Sequence, residues 1–493
     1  MNSMNWLVLG PEILLLVMAC VVALVDLFTK DPQRRLVFWL TQATLLAVAL
    51  LHWRAFDSNE TAYAMQNMVV SDPMGHLLAL FCALAVLITV GYSQAYIGAR
   101  EMLKGEFFTL ALFSLLGISV MISANNFLVV YLGLELMSLS TYALVALRRD
   151  HAISTEAAMK YFVLGALASG FLLYGLSMMY GATGSLEIPK VFEAINTGTL
   201  NKTVLVFGVV FVVAGLAFKM GAAPFHMWVP DVYHGAPTAV TLLIAGAPKI
   251  AAFAITIRLL VEGMIGVGQD WQQMLVVLSV ASMALGNLAA IAQTNLKRML
   301  AYSTIGQMGF MLLGLTPTVV SLNTLSAANG YSSSMFYIVT YVLTTLGTFG
   351  LIMLMARQGF EADEVNDLAG LGKRNPWMAG VMAVFMFSLA GIPPTVGFYA
   401  KLAVLQSLVT TNVPGYIWLA VIAVLLSLVA AYFYLRVIKV MYFDEPTDPA
   451  PVAGGRGASA LLALNGAAVL VLGLLPGGLM GACRDAIVKA LGS

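Results

Sequence analysis

The chain has 493 residues, of which 60% are hydrophobic and only 10% charged, with a mean hydropathy of +0.90. Charged residues make up about 25% of an average soluble protein, so this composition excludes a soluble globular protein and indicates a polytopic membrane protein. A net charge of +1 leaves no basic field for nucleic acid.

Apolar runs of about 20 residues, the length that crosses a bilayer, fall in order at 7–28, 36–56, 73–97, 106–124, 126–147, 154–182, 203–228, 237–262, 272–293, 297–318, 330–357, 376–411, 416–442 and 458–480. The expected fold is therefore all-α, with about 14 transmembrane helices. The first run is long for a signal peptide and has no basic residue before it, so it reads as a retained helix. The fourth and fifth runs are joined only by a tight turn at 123–126, and a short Pro/Gly-rich stretch lies at 450–457.

Loop charges set the orientation. With the N-terminus outside, the loops after odd-numbered spans carry fifteen Lys and Arg and the opposite side carries six, Arg258 among the latter. The positive-inside rule then places both termini on the outer, periplasmic side of a bacterial inner membrane.

Two spans are long and contain helix breakers. Residues 203–228 hold Gly221, Ala222, Ala223 and Pro224; residues 376–411 hold Gly391, Ile392, Pro393 and Pro394. Proline removes a donor and clashes one turn back, so the seventh and twelfth spans should be discontinuous. Backbone freed at that depth must face protein or water. The breaks are five spans apart, an odd number. This predicts two inverted five-helix repeats, spans 4–8 and 9–13, with a site between them. Within a single membrane domain, the expected parts are 1–104 (a three-helix unit), 105–262, 270–442 and a C-terminal helix in 458–493.

Charged residues inside these spans are costly and mark function by default. They are Glu135, Lys160, Lys219, Lys249 and Lys401. Burial disfavours a charged side chain, so a row of such lysines could pass protons at neutral pH. Glu135 and Lys160 lie on adjacent antiparallel spans and could pair. Lys219 and Lys401 each flank a break, and Lys249 lies between them. His226 and His234 flank the loop after the first break and could relay protons. Lys297, next to Arg298, reads as an interfacial anchor. No other carboxylate is expected deep in the membrane, which argues against a sodium cage. Cys20, Cys82 and Cys483 are isolated, so no zinc or iron–sulfur site is expected from this chain.

At FKMGAAPFHMWVPDVYHGAPTAV, NLKRMLAYSTIGQMGFMLLG and LAGIPPTVGFYAKL the chain resembles the antiporter-like subunits of respiratory complex I. Among these it is similar to the subunit N family of bacterial NADH:quinone oxidoreductase, whose mitochondrial counterpart is the NADH dehydrogenase subunit 2 family. The resemblance implies a proton path through Glu135, Lys160, Lys219, Lys249, Lys401 and His226. It also implies no cofactor in this chain, with flavin and iron–sulfur clusters in partner subunits. The partners it implies are the antiporter-like siblings M and L, small membrane subunits and lipid. Two same-fold alternatives remain open, a subunit of a cation/proton antiporter or of a membrane-bound hydrogenase. A passive membrane scaffold is the third.

Overall fold

The structure, a computed structural model, describes residues 4–197, 200–317, 324–446 and 455–492, with 324–328 as backbone. Most of the Pro/Gly-rich stretch at 450–457 lies outside the described residues. The chain is a bundle of helices: α1 (Gly10–Phe28), α2 (Arg35–Ser58), α3 (Pro73–Gly98), α4 (Gly105–Ile122), α5 (Phe127–Val145), α6 (Ala152–Thr183), α7 (Ile188–Asn196), α8 (Lys202–Met220), α9 (Trp228–Gly235), α10 (Thr238–Ala245) and α11 (Ala247–Thr256). It continues with α12 (Gly268–Ile291), α13 (Leu296–Leu313), α14 (Thr324–Met355), α15 (Leu371–Arg374), α16 (Pro376–Ala390), α17 (Val396–Val409), α18 (Pro414–Phe443), α19 (Arg456–Leu474) and α20 (Gly477–Gly492). One small antiparallel hairpin, β1 (Ala62–Ala64) with β2 (Val69–Ser71), lies between α2 and α3.

Among the described residues, twelve helical segments are long and apolar enough to cross a membrane. The two other expected spans take different forms. One is α13, which begins with Lys297 and Arg298. The other is the pair of shorter apolar helices α16 and α17. The C-terminal part, expected to hold one helix, holds two, α19 and α20, separated at Pro476.

Lipid tails are as apolar as leucine, so helices in a membrane associate through close packing rather than hydrophobic burial. The contact of α4 with α5 shows how. A Cβ on Gly117 would meet the backbone of Gly133 and Met137, and one on Gly133 would meet Gly117 and Met121. The contact of α12 with α13 is built the same way, Gly286 lying against the backbone of Tyr302 and Gly306. The apolar window of the segment Thr238–Gly263 is wholly buried in the bundle, whereas that of α18 is only 28% buried. The centre is therefore the place where a charged side chain meets protein rather than lipid.

Candidate functional site: a line of lysines at two broken helices

The eighth helix stops at Gly221, whose φ of +77° glycine adopts without a Cβ clash. The Gly221 amide donates to the carbonyls of Phe218 and Ala217, and the Ala222 amide also reaches Ala217. The remaining freed carbonyls have side-chain partners. Trp228 Nε1 donates to Phe218 O at 2.9 Å, and Lys249 Nζ donates to Met220 O at 2.8 Å and Lys219 O at 3.4 Å. Lys249 is 1% exposed and lies 4.9 Å from the centre of the Trp228 ring. A cation here complements the negative end of the helix dipole.

With its own carbonyl held by Lys249, the Lys219 side chain is free to turn to α5. Its Nζ donates to Ser138 Oγ at 2.8 Å. Ser138 is three residues after Glu135, on the same face of the helix. Glu135 is near enough to act on Lys219 by charge, and its Oε1 is buried with no hydrogen-bond partner among the described residues. A carboxylate oxygen without a donor, beside a lysine held by only one hydroxyl, is a pair whose protonation can change without breaking a fixed ion pair.

The second break repeats the pattern. The sixteenth helix stops at Gly391 with φ +85°, and the amides of Gly391 and Ile392 turn back to Phe387 O. Lys401 Nζ donates to Leu389 O at 3.1 Å, Ala390 O at 2.9 Å and Ser427 Oγ of α18 at 2.8 Å. Gln307 of α13 shares Leu389 O at 3.0 Å. Lys401 is 7% exposed and lies 5.1 Å from the Phe310 ring centre. Both breaks carry a cis peptide, Ala223–Pro224 and Pro393–Pro394.

Several expectations need correction. Lys160 does not pair with Glu135. Its Nζ sits 2.8 Å from both Glu156 and Asp231, and its side chain is 43% exposed. Lys160, the ninth residue of α6, points outward, and Asp231 comes from what read as a loop. That loop is in fact the helix α9, with His234 in its last turn; His226 lies in the unwound segment before it. Lys297 is no interfacial anchor. It is 4% exposed, and its Nζ holds Ala236 O, just past the end of α9, at 2.7 Å. Its neighbour Arg298 points elsewhere and pairs with Asp231 at 2.8 Å. Lys297 thus caps a third helix end between the two breaks. His234 is close enough to feel the charges of Lys297 and Asp363.

Arg258 is not a loop residue either. It is 1% exposed, with both guanidinium nitrogens on Asp72 (2.8 and 2.7 Å) and one on Glu262 at 2.7 Å. Buried carboxylates are not limited to Glu135: Asp72 is 2% and Glu12 8% exposed, although both lie at the starts of their helices, Asp72 capping α3 and Glu12 in the first turn of α1. The sequence carried one signal for this cluster, the Arg258–Glu262 pair at i, i+4 inside an apolar run.

Residues 124–429 match the profile of the NADH:quinone oxidoreductase/Mrp antiporter membrane family. The chain is 60% identical to the NADH-quinone oxidoreductase subunit N of Herminiimonas arsenicoxydans, over 100% of both chains. It is 59% identical to that of Polaromonas naphthalenivorans (strain CJ2), over 100% of this chain and 99% of the relative. Among solved structures, a chain of respiratory complex I from Thermus thermophilus with bound aureothin superposes with a TM-score of 0.80 at 30% identity, covering 97% of this chain and 100% of that one. A chain of the Mrp complex from Dietzia sp. DQ12-45-1b shares the fold, with a TM-score of 0.85 at 22% identity over 100% of this chain and 98% of that one. The helix bundle with its broken, lysine-capped helices is that of an antiporter-like membrane subunit. The chain belongs to the NADH:quinone oxidoreductase/Mrp antiporter membrane family, and within it to the subunit N family of NADH-quinone oxidoreductases.

Proposed function

We propose that this chain is a proton-translocating membrane subunit of an NADH:quinone oxidoreductase. On this reading it carries no redox group. Flavin and iron–sulfur clusters sit in partner subunits, and quinone reduction there drives proton transfer here. The observation that carries the reading is the Glu135–Lys219 pair. The Lys219 ammonium donates to the Ser138 hydroxyl rather than to a fixed carboxylate, while nearby Glu135 Oε1 has no hydrogen-bond partner among the described residues. Ionised Glu135 favours charged Lys219; protonated, it releases that hold. From Lys219 a proton would pass to Lys249, whose Nζ donates to Lys219's own carbonyl, then past Lys297 to Lys401. His226 would serve the first break. Lys160, paired to Asp231 beside α9, would steady the inner end of that helix.

The same reading has two inverted five-helix repeats, spans 4–8 and 9–13, placing the four lysines near their shared midplane. It also has fourteen spans and both termini on the periplasmic face of a bacterial inner membrane. The neighbours would be the antiporter-like siblings M and L and small membrane subunits.

The test is proton pumping driven by NADH oxidation in membrane vesicles, native against Lys219→Ala. Loss of a positioned proton-transfer group should lower pumping roughly tenfold or more, with normal assembly. Unchanged pumping per NADH would mean a passive scaffold. Activity that depends on sodium, or no link to NADH oxidation, would place the chain in an antiporter or hydrogenase instead.

A further inference from the structure

The N-terminal three helices hold a second group of titratable side chains that the lysine line does not use. His52 of α2 and His76 of α3 are 2% and 8% exposed. Their Nδ1 atoms lie 3.1 Å apart, and His76 Nε2 lies 2.7 Å from Ser71 Oγ. Two nitrogens hydrogen-bonded to each other share one proton, so the rings form a directional chain. Its far end, His52 Nε2, is buried without a hydrogen-bond partner among the described residues. Beside it is a cavity of about 10 Å³ lined by Glu12, His52, Asp72, His76, Ser119 and Ser123. That is room for about one water, with polar partners to hold it.

The chain of rings begins at a charged cluster. Asp72 lies one turn before His76, and the His76 amide donates to Asp72 O at 3.0 Å. Arg258 clamps Asp72 and Glu262 together, and Tyr63 of the hairpin is close enough to feel both carboxylates. Arg258 lies in a π-helical segment, Ile257–Gly263, that continues directly from α11, the helix of Lys249. Segments of this kind recur at functional sites. The charged groups around the two rings are therefore Glu12 from α1, Asp72 from the start of α3, and Arg258 and Glu262 from the π segment.

We propose that Glu12, His52 and His76 form a proton relay between the Asp72–Arg258–Glu262 cluster and the membrane face that carries the N-terminus. A proton delivered through the Ser71 hydroxyl binds His76 Nε2. The His76 Nδ1 proton then moves to His52 Nδ1, and the His52 Nε2 proton leaves through the cavity to the Glu12 carboxylate. One proton enters and one leaves; both rings end neutral in the other tautomer and return by ring tautomerisation. Arg258 keeps its proton throughout and fixes the carboxylates.

The inference rests on the reading of the chain as a proton conductor, so its test carries Lys219→Ala as a control. The assembled complex in vesicles is compared as native, His52→Gln, His76→Gln, Glu12→Gln and the apolar double variant His52→Phe/His76→Leu. Each single variant should lower proton pumping roughly tenfold at normal complex content. The double variant should assemble and still not pump. Native pumping by the double variant would show that the rings only pack, and overturn the relay. If the histidine variants fail to assemble, Glu12→Gln decides: a fall supports the relay and native pumping overturns it. If Lys219→Ala abolishes pumping while the relay variants keep it, the relay falls and the conductor reading stands. If Lys219→Ala also pumps normally, both fall.

Discussion

The two broken helices solve one problem with different parts. Each frees backbone carbonyls inside a span, and each is capped by a lysine. At the second break one lysine makes both kinds of contact: Lys401 comes from the broken span itself, holds two carbonyls and reaches Ser427 on the next helix. At the first break the work is divided. Lys249 of the following span holds the carbonyls, which frees Lys219 to reach Ser138. The carboxylate differs too. Glu135 stands beside Lys219, whereas the amide Gln307 stands beside Lys401 and shares its carbonyl. A lysine thus caps both breaks, and among the described residues it is the first break that sets a carboxylate beside its lysine. On the proposed reading, charge switching belongs to the first break and the second receives.

The comparison breaks most visibly if the carboxylate is moved. Glu135→Gln should cut NADH-driven proton pumping roughly tenfold with little loss of stability, because its Oε1 has no hydrogen-bond partner among the described residues to lose. Gln307→Glu should place an anion beside Lys401, hold it charged and slow pumping to a similar degree. Native pumping by Gln307→Glu would show that the second break is indifferent to charge. The capping role is tested by thermal unfolding of the purified complex. Lys249→Ala takes the lysine from Met220 O and Lys401→Ala takes it from Ala390 O, each at a cost of about 1–3 kcal/mol, while Gln307 keeps Leu389 O paired. Lys219→Ala should cost less, since it strands only a serine hydroxyl that already donates to Leu134 O.

The smallest expected effect lies on the opposite face, outside the spans. Glu361 accepts from Arg100 Nε at 2.9 Å and Tyr96 Oη at 2.7 Å, and Tyr96 in turn accepts from the Thr238 amide that opens α10. Burial raises the Glu361 pKa, but the hydrogen bonds from Arg100 and Tyr96 outweigh it and hold the carboxyl below its ordinary value. A carboxyl with a lowered folded pKa stabilises the fold above its unfolded pKa of about 4.3, and that contribution is lost as pH falls through the folded value. The melting temperature should therefore drop more steeply below about pH 4 in the native complex than in Glu361→Gln. Equal slopes would show the pair to be inert.

The sequence made the breaks legible because glycine and proline inside an apolar run have few other meanings. Lys219, Lys249 and Lys401 followed from their depth in those runs. Depth along a helix, however, does not say which way a side chain faces. Lys160 lies within a span yet turns outward to Glu156 and Asp231. Lys297 and Arg298 look alike as neighbours, but a step of one residue puts them on different faces, one buried and one paired with Asp231. Arg258 was misplaced because it sits near a span end, and its partner Asp72 is 186 residues away. The His52–His76 contact joins two helices with no periodic signal in either, so only the packed structure brings the rings together.

The most direct test of the account is the infrared difference spectrum of the complex on reduction by NADH, native against Glu135→Gln. The switch at the first break predicts a carboxyl protonation band that is present in the native spectrum and missing in the variant. Identical spectra, with the variant still pumping, would contradict it.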